Sequence, residues 1–355
     1  MTDKEKFIVY MSLCDLPTKK QELFLNTLED FSMQNISTNH FITQNLSTEE
    51  YHRFVTNFDL RELDNAISNM RVAGIEIITI EDERYPSKLL NLPERPLILY
   101  AMGDLSLLNK KSVAVVGTRS PTNYGKIVTE KFVGSLATAG FVIISGLCYG
   151  VDEIAHKKTL AVGGKTIAVV GSGFNNIYPA INTNLAKEIA ENGLLLSEYP
   201  PSFQAKRYTF PRRNRIVAGL CDGVLIPEAG FKSGTVHTKD FALDYGKDIF
   251  AVAGSIFNEK SNLPNELIKT AQAECVLSPD DIIEYYGMNK IDKKKVTSVT
   301  FDEQTILNLL EDGEKDMEYL AEKSNIPVNI LSSCLTTLEI RGLIRRLPAK
   351  TFALI

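Results

Sequence analysis

The chain has 355 residues, a net charge of −5 and 44% hydrophobic residues, which is room for two or three domains and the composition of a soluble globular protein. Its five cysteines (Cys14, Cys148, Cys221, Cys275, Cys334) are scattered, with no CxxC and no Cys/His cluster, which argues against structural zinc and for a reducing compartment. No apolar run reaches the roughly 18 residues of a membrane helix, and MTDKEKF lacks a secretory pattern, so a cytoplasmic protein with no membrane partner is expected.

Residues 1–70 read as a small helical domain of the SAM or helix-hairpin-helix kind. Leu23, Phe24, Leu28 and Phe31 recur at helical spacing, as do Leu60, Leu63, Ile67 and Met70. The segment is acidic and lacks a Gly-rich hairpin, so packing is expected of it rather than DNA contact. Residues 71–288 read as one α/β domain. GIEIITI opens it as a strand, and Pro86, Pro93 and Pro96 mark turns before a second strand at 96–100. Six apolar runs follow: SVAVVG, FVIISG, TIAVVGSG, GLLLSE, DGVLIPEA and KDIFAVAG. Uniformly apolar runs suit strands covered on both faces of a parallel sheet. Helical stretches between them complete an extended Rossmann-type, doubly wound, mostly parallel α/β fold.

Residues 289–300 are polar and aperiodic, as a linker would be. Residues 301–355 read as a winged-helix domain. FDEQTILNLLE, KDMEYLAEKSN and PVNILSSCLTTLEIRG are its three helices, and LIRRLPAKTFALI supplies a pair of short strands. Arg341, Arg345, Arg346 and Lys350 make that wing basic.

Net charge alone disfavours nucleic acid, but its distribution does not. From Lys110 to Lys247 there are 17 Lys+Arg and 10 Asp+Glu, a balance of +7, so the rest of the chain carries −12. The densest part is YPPSFQAKRYTFPRRNRIVAGL at 199–220. Lys206, Arg207, Arg212, Arg213 and Arg215 lie there among Tyr199, Phe203, Tyr208 and Phe210, with no Asp or Glu. Cations for phosphates interleaved with rings for bases suit single-stranded nucleic acid. The plain alternative is a solvated surface loop.

Ligands of doubly wound sheets bind at the C-terminal strand ends. Those ends carry Gly117-Thr118-Arg119, Ser145-Gly146 with Tyr149, Gly171, and Lys232-Ser233-Gly234-Thr235, each a small or charged turn suited to an anion. None is a P-loop or a GxGxxG motif. His156 has no evident carboxylate partner and is expected to be structural; Cys148 reads as a small packed residue. Glu228 is either a catalytic carboxylate or a residue holding an Arg or a loop N–H. The histidines (His40, His52, His156, His237) form no metal motif.

In order, YP at 85–86, RPLILY at 95–100, VAVVGTR at 113–119, SGLCYGVDEIAH at 145–156, GSGFNNIYPAIN at 171–182, FPRRNRIVAGL at 210–220 and EA with SGT at 228–235 resemble the DprA/Smf DNA-processing family. The resemblance is strong over roughly 70–285. It implies a non-enzymatic, cofactor-free homodimer that binds single-stranded DNA, protects it and loads the recombinase RecA onto it in natural transformation. It also implies that Arg119, Lys206 or Arg207, and Phe210 with Arg212, Arg213, Asn214 and Arg215 bound the DNA pocket. The chain departs from the family at SGTVHTKDFA and at 263–273, which resembles the dimer face. Two competitors remain: a nucleotide phosphoribohydrolase-like enzyme using Glu228 beside Gly234-Thr235, and a mononucleotide-sensing module.

Overall fold

The computed structural model describes residues 1–56, 58–288, 300–347 and 351–354. Residues 289–299 of the expected linker, and Lys350 of the wing, lie outside them. The chain forms two compact units, Met1–Ile291 and Asp292–Ile355.

The first unit is built on a nine-stranded sheet. Its strands are β1 (Glu76–Thr79), β2 (Ile98–Gly103), β3 (Ser112–Val115), β4 (Val142–Ser145), β5 (Thr166–Val170), β6 (Leu194–Ser197), β7 (Gly223–Ile226), β8 (Asp248–Ala251) and β9 (Glu274–Cys275). The order is β1-β2-β6-β5-β4-β3-β7-β8-β9. In this sheet only the β1–β2 and β2–β6 pairings are antiparallel. Every residue of β3, β4, β5, β6 and β7 is buried, as their largely apolar sequences require.

Strand alternation divides the core. Val113, Val115 and Ile143 face Phe132, Val133 and Ala155 of the helices Asn123–Thr138 and Val151–Ala161. Ala114, Val116 and Ile144 face the other way, toward Ile216, Val217 and Leu220 of the helix Thr209–Leu220 and Ala242 of the helix Thr235–Asp244. From β3 the chain winds outward through β4 to β6. It then crosses back to β7 and winds the other way. The switch point therefore lies between β3 and β7.

The N-terminal helices share a core with the antiparallel edge. Phe7, Ile8, Met11, Phe24, Phe54 and Ile67 pack with Ile75, Ile77, Ile98 and Tyr100, and the Tyr100 hydroxyl donates to Ser12 Oγ at 3.0 Å. The helix expected to run through Leu28 and Phe31 ends at Thr27, because Leu28 is already extended.

The second unit has the winged-helix pattern. Helices Phe301–Leu310, Met317–Ser324 and Val328–Ile340 enclose Ile306, Leu320, Leu331 and Leu335. Strands β11 (Ile344–Leu347) and β12 (Thr351–Leu354) form the expected pair, with β10 (Lys315–Asp316) added against β12. Lys315 and Asp316, read from sequence as helical, are this third strand. Asp316 instead caps the helix, accepting from the Tyr319 N–H at 2.8 Å. Of the wing cations, Arg341 is paired with Glu303 at 3.2 Å, while Arg345 and Arg346 are exposed.

Candidate nucleic-acid interface

The loops leaving β3, β4 and β7 and the start of the 209–220 helix enclose an open cavity of about 810 Å³ at the switch point. Five Lys/Arg (Arg119, Arg207, Arg213, Lys232, Lys260) and two carboxylates (Asp152, Glu259) line it. The helices at 151–161, 209–220 and 235–244 begin at the cavity, with their first N–H groups held by the Thr118 carbonyl, the Lys206 carbonyl and Ser233 Oγ respectively.

Glu228, buried at the end of β7, organises two of the walls. It accepts from Thr122 N–H at 2.9 Å and Thr122 Oγ1 at 2.6 Å, fixing the loop that carries Arg119. It also accepts from Asn258 Nδ2 at 3.0 Å, fixing the loop that carries Lys260. Lys260 in turn donates to the Ser120 carbonyl. Both Glu228 oxygens are thus engaged in holding these loops, and the side chain is almost fully buried. Gly117 is required here, since a Cβ would lie 2.7 Å from the Glu228 carbonyl oxygen and 2.6 Å from Val151.

The structure sorts the basic segment by exposure. Arg119, Arg207 and Lys232 are exposed on the cavity wall and make no hydrogen bond or ion pair among the described residues. Arg213 also reaches the wall but is buried. Its guanidinium donates to the Gly146 and Val169 carbonyls, closing off the ends of β4 and β5. A Cβ on Gly146 would meet that guanidinium at 2.4 Å. Arg215 must be corrected outright as a phosphate contact. It is fully buried and donates to both Glu198 oxygens at 2.5 and 2.6 Å. The carboxylate expected beside the arginines is therefore Glu198, not Glu228.

Other expected site residues are also placed elsewhere. Ser145 is fully buried, with its hydroxyl donating to the Val115 carbonyl at 2.7 Å. Gly171 is buried behind the wall, where its carbonyl accepts from Thr209 Oγ1 at 2.6 Å. Tyr149 is exposed but outside the cavity lining. Lys206 and Arg212 are engaged away from the cavity: Lys206 pairs with Asp15 at 3.2 Å, and Arg212 donates to Thr18 Oγ1 and lies 3.5 Å from Glu198. Gly117, Thr118, Gly146, Phe210, Asn214, Ser233, Gly234 and Thr235 do line the cavity. Asn214 joins two walls by donating to the Gly234 carbonyl at 3.3 Å.

Phe210 is not alone. Tyr178, half exposed, packs against it with ring centroids 5.4 Å apart, giving the cavity an aromatic edge. Sequence reasoning missed Tyr178 as a site residue, along with Lys260, His237 and Asn258. YPAIN marked only a loop, and the other three lie past the recognised turns.

Three titratable groups in and behind the wall are tied up in the fold. His156 is buried, and burial first, then the Arg213 charge, hold its pKa down at about 3. Its Nδ1–H donates to Thr166 Oγ1 at 2.7 Å, because that hydroxyl spends its own proton on the Ile143 carbonyl. Asp152 accepts from the Gly146 and Cys148 N–H groups at 3.2 and 3.3 Å. Burial still raises its pKa, with Arg213 opposing. Burial also raises the Cys148 thiol, so it is no ready nucleophile. Among the described residues no group of three or more His, Cys, Asp or Glu is placed to hold a metal, and no helix is long and apolar enough to cross a membrane.

Fold and cavity define a class: an extended Rossmann-type α/β protein with a cation-lined, aromatic-edged switch-point cavity, followed by a winged-helix unit. The family model described as DNA recombination-mediator protein A matches residues 76–287, and that of the DprA winged helix domain matches 295–350. The chain belongs to this DprA/Smf family. It is similar to Protein Smf of Escherichia coli (strain K12), at 34% identity over 314 residues, 85% of this chain and 83% of that protein. The structure of DNA processing protein A from Streptococcus pneumoniae superposes with a TM-score of 0.69 at 32% identity, covering 81% of this chain and 99% of that one. That of DNA processing protein A from Helicobacter pylori, described for its single-stranded DNA binding mode, gives 0.55 at 36%, covering 60% and 95%.

Proposed function

We propose that this chain is a DNA-processing protein of natural transformation that binds single-stranded DNA in the switch-point cavity. The observation that carries the proposal is the pairing of three wall cations without partners among the described residues, Arg119, Arg207 and Lys232, with the Tyr178–Phe210 edge. Phosphates meet the cations, and a base stacks at the aromatic edge. The ring face is open to a splayed base; a paired and stacked base has no such face to offer. Binding is therefore strong for single strands, weak for duplex, and falls as salt rises.

The finer parts of the proposal rest on family membership. They are action as a cytoplasmic homodimer without a cofactor, protection of incoming DNA, and hand-over to the recombinase RecA. The engagement of Glu228 with Thr122 and Asn258 supports a binding protein over a nucleotide hydrolase, which would need that carboxylate free. Titrating the full chain with labelled single- and double-stranded oligonucleotides at several salt concentrations tests the reading. Equal affinity for both forms, or a flat salt response, refutes it.

A further inference from the structure

Two phenylalanines stand in solvent beside the cavity, on segments other than those that carry Tyr178 and Phe210. Phe231 lies between the wall residues Gly230 and Lys232 and is 56% exposed. Phe257 shortly precedes the wall residues Glu259 and Lys260 and is 93% exposed. Neither ring is needed by the core, and rings of this size left in water mark a contact surface.

The loops that carry them are pinned. Asn258, next to Phe257, donates to buried Glu228 and accepts from the Lys260 N–H at 3.1 Å. The Leu263 N–H donates to the Ala229 carbonyl at 3.0 Å, tying the loop after β8 to the loop after β7. The two loops also pack closely, since a Cβ on Gly230 would lie 3.3 Å from the Glu259 carbonyl oxygen. Each exposed ring thus sits on a fixed loop within three residues of a lysine on the cavity wall.

We propose that Phe231 and Phe257 form a second base-stacking rim, onto which a single strand continues as it leaves the cavity past Lys232 and Lys260. The proposal rests on the single-strand reading of the cavity. The occupant is chosen by charge: the rim adjoins a wall with five cations and two carboxylates, so what emerges beside it is a polyanion. Alternating lysines and exposed rings suit a strand whose phosphates and bases alternate in the same way.

The test uses the full chain and a homothymidine ladder of roughly 4 to 16 nucleotides, the span of site sizes found in single-strand-binding OB folds. Four proteins are compared by fluorescence anisotropy: the unmodified chain, Phe231→Ala/Phe257→Ala, Phe231→Tyr/Phe257→Tyr, and Arg119→Ala/Arg207→Ala. Solution mass is recorded for each. The double alanine variant is expected to lose about tenfold in affinity for the longest strands, the equivalent of one stacked base. It should keep its affinity for strands too short to leave the cavity, and the tyrosine variant should bind like the unmodified chain. Unchanged affinity for long strands, or an equal loss at every length, overturns the proposal. So does a fall in solution mass with affinity retained, which would make the rim a protein-docking face. If the arginine variant binds short strands normally, the reading of the cavity itself fails, and the ladder records that separately.

Discussion

Arg207 and Arg215 lie eight positions apart in one basic segment and do opposite things. Arg207 stands exposed on the cavity wall without a partner among the described residues, while Arg215 is fully buried against Glu198. Arg213, between them, is buried too, yet still presents part of its guanidinium to the cavity while bonding the Gly146 and Val169 carbonyls. Counting cations in a sequence overstates phosphate contacts, because a helix turns some inward. Here residues 213 and 215 lie about 200° apart around the helix Thr209–Leu220, and both are buried, Arg213 against the ends of β4 and β5 and Arg215 against Glu198. The inward arginines hold the strand ends in place so that the outward ones can be used.

The largest expected effect probes the inward side. Arg215→Ala empties a fully buried site and leaves Glu198 with only the longer Arg212 contact at 3.5 Å, and should cost about 3 kcal/mol of stability by urea denaturation. Arg215→Met combined with Glu198→Leu should recover most of that loss, because an apolar pair removes both charges. If Arg215→Ala instead folds normally and loses DNA binding, the division between inward and outward arginines is wrong.

The outward side should respond in reverse. Arg119→Ala/Arg207→Ala should leave stability within about 0.5 kcal/mol. Affinity for single strands should fall tenfold to a hundredfold at moderate salt, as expected when two exposed hydrogen-bonding groups contributing about 0.5–1.5 kcal/mol each are removed. The slope of log affinity against log salt should also flatten by about 0.7 for each phosphate that is no longer neutralised. An unchanged slope would mean these arginines do not meet phosphates.

A third test reads the wall's support through pH. The folded chain holds His156 at about 3, well below the ordinary value of about 6.5. Between those values the unfolded chain binds a proton that the folded chain refuses. Its contribution to stability is therefore lost as pH falls below about 6.5, and amounts to about 2 kcal/mol between pH 7 and pH 5. Asp152, raised by burial, works in the opposite sense. The His156 part is isolated by comparing the unmodified chain with His156→Gln, whose stability should fall less over that interval. Parallel pH profiles would show that His156 is not held neutral.

Much of this was legible in the sequence, and for identifiable reasons. The strands β3 to β8 are apolar runs because both faces are covered, and Gly117 and Gly146 mark turns because neighbouring atoms leave no room for a Cβ. What escaped was pairing through space. Glu198 precedes the basic run by several residues, and nothing local joins it to Arg215. Tyr178 lies 32 positions before Phe210, and Lys260 lies 140 positions after the Ser120 carbonyl it binds. Helical periodicity in residues 1–70 indicated an apolar face but not its cover, which proves to be β1 and β2.

The smallest effect tests where the cavity ends. Lys206 adjoins Arg207 in sequence, yet it lies outside the lining, paired with Asp15 at 3.2 Å and resting 4.8 Å from the Phe203 ring. Both charges of that pair are about half exposed, so water screens it. Lys206→Ala should therefore cost less than about 0.5 kcal/mol of stability, and should weaken short single strands far less than Arg207→Ala does. The two variants differ by one position and remove the same charge, so a general electrostatic effect would treat them alike. Equal losses would mean that a strand passes along the outer face toward the N-terminal helices, and that the cavity is only one end of its track.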